Sequence, residues 1–211
     1  MTADARRELI ELAATELFAE RGYHGSSMDE IARRSGISVP VVYDHFKSKE
    51  ELHRRLLERH FAELRSIWRD HLFGDDPPEE RVSRAVDAWF AYVQAHPFAW
   101  RMLFRDTTGD TRLEAIRREV AAESRALLLP VLAHEASVEN VAGAAGEAQE
   151  MLWVAISGVI QGLALWWYDH QHVPREPVVA TAMNALWVGF ERVRRGQTWA
   201  PGAERSVVRS S

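Results

Sequence analysis

The stretch of residues 26–52, SSMDEIARRSGISVPVVYDHFKSKEEL, contains the starts of three helices and a tight turn. Two of its segments, Ser27–Glu30 and Ser48–Glu51, fit the capping box. In that motif the serine hydroxyl accepts from the third backbone N–H of the helix, and the glutamate accepts from the N–H of the serine. The two boxes therefore predict helices that begin at Met28 and at Lys49.

A third helix is predicted between these two. Gly36 can adopt the left-handed conformation that ends the helix from Met28. Ser38 is predicted to cap the next helix, Val39 to His45, which carries Pro40 in its first turn. The result is a helix-turn-helix, and the major groove of DNA admits one such helix while the preceding helix crosses the backbone. The same geometry occurs in all-α proteins without DNA binding, so spacing alone does not decide the function.

Positive charge is concentrated around the short helix. From Arg33 to Lys49 there are four Lys or Arg residues against one Asp, a local net charge of +3 in a chain of formal net charge −5. The four cations are Arg33, Arg34, Lys47 and Lys49. The N–H groups at the helix starts near Ser27 and Ser38 can also bind phosphate oxygens. A local basic patch is sufficient for phosphate contact even in an acidic chain.

The same segment follows a predicted helix, from about Asp4 to Arg21, that has a regular apolar face. The most specific residues are Leu9, Ala13, Leu17, Phe18, Gly22 and Tyr23, followed by Gly36-Ile37-Ser38, Val42-Tyr43-Asp44-His45-Phe46 and Ser48-Lys49-Glu50-Glu51-Leu52. Over about the first fifty to sixty residues, the chain resembles the N-terminal domain of the tetracycline-repressor (TetR) family of bacterial regulators. The resemblance implies a helix-turn-helix DNA-binding domain.

The resemblance also implies roles for individual side chains. Residues at the positions of Tyr43 and Lys49 bind phosphates in that family, and those at Ser38, Val39, Pro40 and His45 lie nearest the bases. The side chains of Val39, Pro40 and Val42 cannot hydrogen-bond a base edge. We therefore expect contacts with thymine methyl groups and readout of DNA shape. The predicted DNA contacts are Ser27, Arg34, Ser38, Val39, Pro40, Val42, Tyr43, His45, Lys47 and Lys49.

Length and composition place these helices in a soluble all-α protein. The 211 residues are 46% hydrophobic with 8 Trp, which is ample for a core. Cysteine is absent, which excludes disulfides and thiolate metal sites. The N-terminus lacks the apolar run of a signal peptide, so we expect the cytoplasm. No glycine-rich phosphate loop, nucleophile elbow or carboxylate pair indicates an enzyme.

Helical periodicity predicts about nine helices in two domains. We expect a helix-turn-helix DNA-binding domain over residues 1–48, an effector-binding and dimerisation domain over residues 49–196, and a disordered tail over residues 197–211. The predicted helices after the first three cover about residues 49–72, 79–95, 98–105, 111 to beyond 128, 147–168 and 176–195.

Eighteen residues without a charge, Met151 to Tyr168, reach the length of a membrane span. Small and polar residues at the centre and the lack of a flanking basic cluster argue against insertion, so no membrane contact is predicted. A helix that is apolar all round is better explained by burial against its own core and against a partner. The resemblance implies a homodimer in which the last two helices pair with their mates. The predicted interface residues are Gly158, Gly162, Ala182, Ala185 and Gly189.

Aromatic residues mark a candidate cavity on helices that surround an inducer pocket in the resembled family. The predicted ligand-binding residues are Trp89, Phe90, Val93, Trp100, Phe104 and Trp153, with His96, Arg101 or Arg105 as a polar handle. Each of these aromatic residues on its own is more typical of plain core than of a ligand wall. His170 and His172 lack a third ligand nearby, so neither a metal nor a cofactor is predicted.

The prediction from the sequence is therefore a ligand-responsive transcriptional regulator. We expect a repressor that binds a palindromic double-stranded DNA operator and is released by a hydrophobic or aromatic small molecule. The alternative is a soluble small-molecule-binding protein without regulatory DNA binding. Loss of the basic and tyrosine contacts would favour that alternative, and Arg34, Tyr43 and Lys49 are all present.

Overall fold

A computed structural model describes residues 1–104 and 145–194, together with 114–115, 118–119, 122 and 125–126. Its helices are α1 (Ala3–Arg21), α2 (Met28–Ser35), α3 (Val39–His45), α4 (Lys49–Leu72), α5 (Pro78–Ala95), α6 (Pro97–Phe104), α7 (Ala145–Tyr168) and α8 (Arg175–Arg194). The described residues contain no strand, and the all-α prediction is confirmed. Of the predicted helix from Thr111, the structure describes residues 114–115, 118–119, 122 and 125–126, which are helical, and the predicted tail lies outside the described residues.

Local hydrogen bonds define the ends of α2 as the sequence predicts. Ser27 Oγ accepts from the backbone N–H of Glu30 at 3.2 Å, and Glu30 Oε2 accepts from the N–H of Ser27 at 3.0 Å. These bonds lower the pKa of Glu30, with the Ser27 hydroxyl as the largest cause. Gly36 follows with φ of 69°, in the left-handed region that favours glycine. The first capping box and the turn are therefore confirmed.

The other two predicted caps differ from expectation. Ser48 Oγ accepts from the N–H of Glu51 at 3.0 Å, but the Glu51 carboxylate accepts from the N–H of Lys47 at 2.8 Å, one residue earlier than in a capping box. Ser38 is the cap residue of α3, as predicted, but its side chain makes no capping hydrogen bond. Pro40 near the start of α3 lacks an N–H and has a preset φ, which reduces the need for a cap.

One continuous hydrophobic core runs through the described helices. It includes Phe18 of α1, Val42 of α3, Leu57 of α4, Phe90 of α5 and Trp167 of α7. Helix α1 packs against α2, α4 and α6, while α5 packs against α4 and α8. Helix α4 therefore shares its packing between the N-terminal helices and the rest of the molecule. The division at residue 48 remains a prediction.

A chain of polar contacts with buried ends links α1 to α4 and α5. The Glu11 carboxylate on α1 is only 4% exposed and lies 2.6 Å from Arg59 Nη1 on α4. Arg59 also contacts Glu63 at 3.1 Å. One turn before Glu63, His60 Nδ1 lies 3.5 Å from the Glu63 carboxylate and 2.7 Å from the hydroxyl of Tyr92 on α5. Burial lowers the pKa of His60 and raises that of Tyr92, so the pair is a neutral hydrogen bond near pH 7.

Helix α7 leaves one side uncovered in the protomer. Residues 150–168 are long and apolar enough to cross a bilayer, yet only 17% of this window is buried. Its inner side packs Ile160, Ala164 and Trp167 into the core. The large apolar side chains exposed on α7 and α8 are Met151, Val154, Leu165, Trp166 and Val188. Four of these recur along α7 at helical spacing, so they form a face that suits a partner helix.

Candidate DNA-binding surface and effector cavity

Helix α3, which follows α2 after a short turn, presents one exposed face. Its residues Pro40 and Tyr43 are exposed, and Lys47 continues the face just beyond the helix. Ser38 precedes the helix and is exposed, whereas Val39 and His45 are half-buried. Most of the predicted contact residues on α3 are therefore accessible to DNA.

The prediction that Val42 contacts DNA is wrong, because this residue is buried. Its side chain is 0% exposed and belongs to the core that joins α3 to α1 and α4. It cannot reach a thymine methyl group without unfolding the helix. The exposed face contains Asp44 instead, one helical turn after Pro40. The i, i+4 spacing from Pro40 could have placed Asp44 on this face from the sequence alone.

Arg34 is also placed differently from the prediction. Its guanidinium contacts Glu20 Oε2 at 2.8 Å and Glu16 Oε2 at 3.7 Å, both on α1. The hydrogen bond that Arg34 donates to the Glu20 carboxylate raises the pKa of Arg34. Two carboxylates thus neutralise this charge and Arg34 joins α2 to α1, while its predicted phosphate contact stays a prediction. Arg33 and Lys47 are the more exposed cations of the basic cluster.

The Lys49 ammonium is engaged within the protein. Its Nζ donates to the carbonyl oxygens of Tyr23 at 2.8 Å and Ser26 at 2.9 Å, and it lies 4.2 Å from the centre of the Tyr23 ring. Burial lowers the pKa of Lys49. By contrast, Lys47 is exposed, with its Nζ 3.4 Å from the Tyr43 carbonyl oxygen. The two lysines that frame Ser48 therefore have different surroundings.

A cavity of about 300 Å³ lies between α4, α5, α7 and α8. Of the predicted ligand-binding residues, Trp89, Phe104 and Trp153 line it. Sequence reasoning missed the wall supplied by α4 and α8, which includes Trp68 and Trp187. The regular apolar spacing of α4 was visible in the sequence, but it did not show that this face borders a cavity. The cavity is lined mainly by aromatic and aliphatic side chains.

The polar groups of the cavity are few and differ from those predicted. They are Arg65 of α4 with Ser157 and Gln161 of α7, and Arg65 is the one charged side chain among the described lining residues. His96 and Arg101 do not line the cavity, and Arg105 lies outside the described residues. A ligand could therefore bury an apolar body here and place a polar or anionic group near Arg65.

Three residues predicted to line the cavity belong instead to the packed hydrophobic core, which corrects the prediction. Phe90, Val93 and Trp100 are 0%, 2% and 1% exposed and do not line the cavity. The Trp100 ring is 6.2 Å from that of Tyr168 and nearly parallel to it, with an interplanar angle of 23°. Phe104, whose ring is 5.9 Å from Trp100, separates this stack from the cavity.

The predicted interface residues divide into two groups. Gly158, Gly162 and Gly189 are exposed, and a Cβ added at any of them would meet no atom within 4 Å in the protomer. Ala185 is also exposed, although it and Gly189 line the cavity. Ala182 is 0% exposed and packs in the protomer core, so its prediction as an interface residue is wrong.

The histidine pair after α7 takes part in local contacts. The His170 ring stacks on Trp166, with centroids 4.3 Å apart, and lies 5.9 Å from the His172 ring. Within the part of the chain that the structure describes, no group of three His, Cys, Asp or Glu residues could hold a metal ion. The stack instead extends the apolar surface of α7.

Comparisons with known proteins agree in fold and family. Residues 10–56 match the family "Bacterial regulatory proteins, tetR family", and residues 78–189 match "Tetracyclin repressor-like, C-terminal domain". The chain is 29% identical over 192 residues to the HTH-type transcriptional activator FasR of Mycolicibacterium smegmatis, covering 90% of this chain and 85% of that protein.

Two solved structures show the same fold. A TetR-like transcriptional regulator from Rhodococcus sp. RHA1 superposes with a TM-score of 0.73 at 22% identity, over 90% of this chain and 98% of that one. The transcriptional regulator FadR from Bacillus subtilis, in complex with stearoyl-CoA, superposes with a TM-score of 0.71 at 18% identity, again over 90% and 98% of the chains. At these identities the likeness concerns the fold alone.

Proposed function

The chain belongs to the tetR family of bacterial regulatory proteins, and we propose that it is released from a palindromic operator by a molecule with a long hydrocarbon chain. As a member of this family it is a ligand-responsive, DNA-binding transcriptional regulator. Such regulators act as dimers on DNA operators and respond to small-molecule effectors. The cavity between α4, α5, α7 and α8 carries the proposal for the effector.

The chemistry of the cavity favours an amphipathic effector. Its walls are apolar apart from Arg65, Ser157 and Gln161. A hydrocarbon chain gains about 0.8 kcal/mol for each methylene removed from water, while an arginine can receive an anionic group. FadR from Bacillus subtilis, which has this fold, binds stearoyl-CoA in its structure. These observations support a fatty acyl compound, such as an acyl-CoA thioester, as the effector class.

Titration with acyl-CoA thioesters of increasing chain length tests the effector class. Trp68, Trp89, Trp153 and Trp187 line the cavity, so tryptophan fluorescence should report binding. We expect the affinity to rise roughly fourfold per methylene until the cavity is filled, and coenzyme A alone to bind poorly. Trp153→Ala should weaken binding about tenfold, since it removes part of the wall.

The matched control for that wall variant is Phe73→Ala. Phe73 is an exposed aromatic residue at the end of α4 that does not line the cavity, so its removal should leave the fluorescence titration unchanged. An affinity that did not depend on chain length would exclude an acyl effector.

The exposed face of α3 supports the proposed DNA contacts. We assign phosphate contacts to Tyr43, Lys47 and the backbone N–H groups near Ser27, and base contacts to Ser38 and Pro40. The remaining base contacts assigned to this face are those of Val39 and His45, which are half-buried at its edge. Two such faces in a dimer must lie about 34–36 Å apart to enter successive major grooves, which predicts a palindromic operator.

Removal of the Tyr43 hydroxyl tests the phosphate assignment. Tyr43→Phe should weaken binding to a short random-sequence duplex about fivefold, because one hydrogen bond to phosphate is lost. The salt dependence should not change, since no charge is removed. Tyr168→Phe, a half-buried tyrosine of α7, is the matched control and should bind as the wild type does. Fluorescence anisotropy between about 50 and 200 mM salt would measure both quantities. Unchanged affinity of Tyr43→Phe would exclude the contact.

Helix α4 provides the connection between effector and DNA. It begins beside the α1–α2 turn at Lys49, and its far part lines the cavity with Phe61, Arg65 and Trp68. Its 24 residues span about 36 Å, so a small tilt at the cavity displaces α3 by a larger distance. To lower operator affinity a hundredfold, the effector must bind the released form about 2.7 kcal/mol more tightly.

A further inference from the structure

We propose that Lys49 is a positioning residue for DNA binding, which holds the turn between α1 and α2 so that the N-terminus of α2 meets a DNA phosphate. The inference rests on the proposed DNA-binding function, but it assigns Lys49 a role other than the phosphate contact that the family resemblance implies. The turn comprises residues 22–27 and ends at the cap of α2.

The contacts of the ammonium carry the proposal. Lys49 Nζ donates to the carbonyl oxygens of Tyr23 and Ser26 at 2.8 and 2.9 Å, and the Tyr23 ring lies beneath it at 4.2 Å. A lysine ammonium has only three donors. Because two of them bind backbone carbonyls that are 26 and 23 residues away in sequence, at most one remains for a phosphate.

The turn has little freedom elsewhere. Ser26 is 4% exposed, and its hydroxyl lies 3.2 Å from the Leu17 carbonyl oxygen and 2.9 Å from that of Gly22. A Cβ at Gly25 would come within 2.3 Å of the Arg21 carbonyl oxygen, so the chain passes too close to α1 for any other residue. The side chain of Ser26 is thus fixed from α1, and its carbonyl is fixed from α4 by Lys49.

The carbonyl of Ser26 immediately precedes the cap residue of α2. Ser27 orients the first N–H groups of that helix through its capping box with Glu30. These N–H groups are the proposed phosphate-binding groups at the start of α2. A bond that fixes Ser26 therefore determines where they point.

Two further features describe how the Lys49 ammonium is held. Lys49 is the first residue of α4, where the helix dipole disfavours a cation. The two carbonyl acceptors offset this penalty. In addition, Tyr23 lies between the Lys49 ammonium and the ring of His53, at 5.1 Å from the latter. Loss of the ammonium would remove both its contact with the Tyr23 ring and its hydrogen bond to the Tyr23 carbonyl.

Two measurements on the same variants test the proposal. The first is hydrogen exchange of the backbone amides of Glu30 and Ile31 in the free protein, which follows the order of the start of α2. The second is the salt dependence of binding to a short random-sequence duplex, which counts phosphate contacts. The variants are Lys49→Met and Lys49→Arg, with Lys47→Met as the matched control because Lys47 is exposed.

We expect Lys49→Met to speed exchange of these amides about tenfold and to weaken duplex binding about fivefold, without a change in salt slope. Lys49→Arg should restore protection, since a guanidinium can donate to both carbonyls. Lys47→Met should leave exchange unchanged and reduce the salt slope by about 0.9 for each subunit bound.

Either of two results would overturn the positioning role. One is unchanged exchange in Lys49→Met, and the other is a salt slope reduced as much as in Lys47→Met. Failure of the wild-type protein to bind any duplex would contradict the proposed function instead. The exchange measurement, made without DNA, would then still decide whether Lys49 holds the turn.

Discussion

Gly158→Leu is expected to convert the dimer into monomers and to lower operator affinity by about 10²–10⁴-fold. The magnitude follows from bivalency, because each half of the operator then binds a separate protein molecule. Gly158 lies on the exposed face of α7, and a Cβ there meets no atom within 4 Å in the protomer. The monomer therefore accommodates the leucine, while a partner helix packed against the glycine cannot.

Sedimentation and binding to a duplex selected from a random pool by the wild-type protein would measure this effect. Ala62→Leu is the matched control, because it adds the same side chain to an exposed position of α4 away from the proposed interface. Gly189 is less suitable for the test, since it also lines the cavity. A Gly158→Leu protein that remained dimeric would place the interface elsewhere.

Trp100→Ala is expected to lower the free energy of unfolding by about 3–5 kcal/mol. The side chain is 1% exposed, stacks on Tyr168 and packs at a tilt against Phe104, so its removal leaves a large void in a packed core. For a chain of this size the melting temperature should fall on the order of 10 °C. Chemical denaturation and calorimetry would give both values.

Trp153→Ala is the matched comparison, because Trp153 is half-buried and faces a cavity that already exists. Trp153→Ala should lower the free energy of unfolding clearly less than Trp100→Ala does, and it should weaken effector binding more. If Trp100→Ala kept the wild-type melting temperature and lost effector binding, Trp100 would be a wall residue, as the sequence had suggested.

Several features of the molecule were predictable because they depend on neighbours in sequence. The capping box at Ser27 and the left-handed Gly36 are set by residues within one turn, so the helix-turn-helix could be found without coordinates. The dense motifs around Tyr43 led to the family for the same reason. Helix bounds from α4 to α8 also agree with the predicted ones to within a few residues, since apolar spacing is a local property.

Part of the DNA-binding surface and the cavity wall was decided only by tertiary structure. Arg34 meets Glu20 fourteen residues away, and Lys49 meets Tyr23 twenty-six residues away. The sequence showed two cations but not the acceptors that the fold brings to them. Similarly, Trp100 and Trp153 are both aromatic residues on amphipathic helices, and only the arrangement of α4, α5, α7 and α8 leaves a cavity beside Trp153.

The physical reason is the same in each case. Local hydrogen bonds and side-chain periodicity determine which residues become helix and which side of each helix is apolar. They do not determine which helix covers that side, how closely it approaches or what charge it carries there. At Val42 and Ala182 those answers come from other helices, and at Lys49 they come from the turn between α1 and α2. They separate core and anchor residues from the residues left to contact DNA, effector or partner.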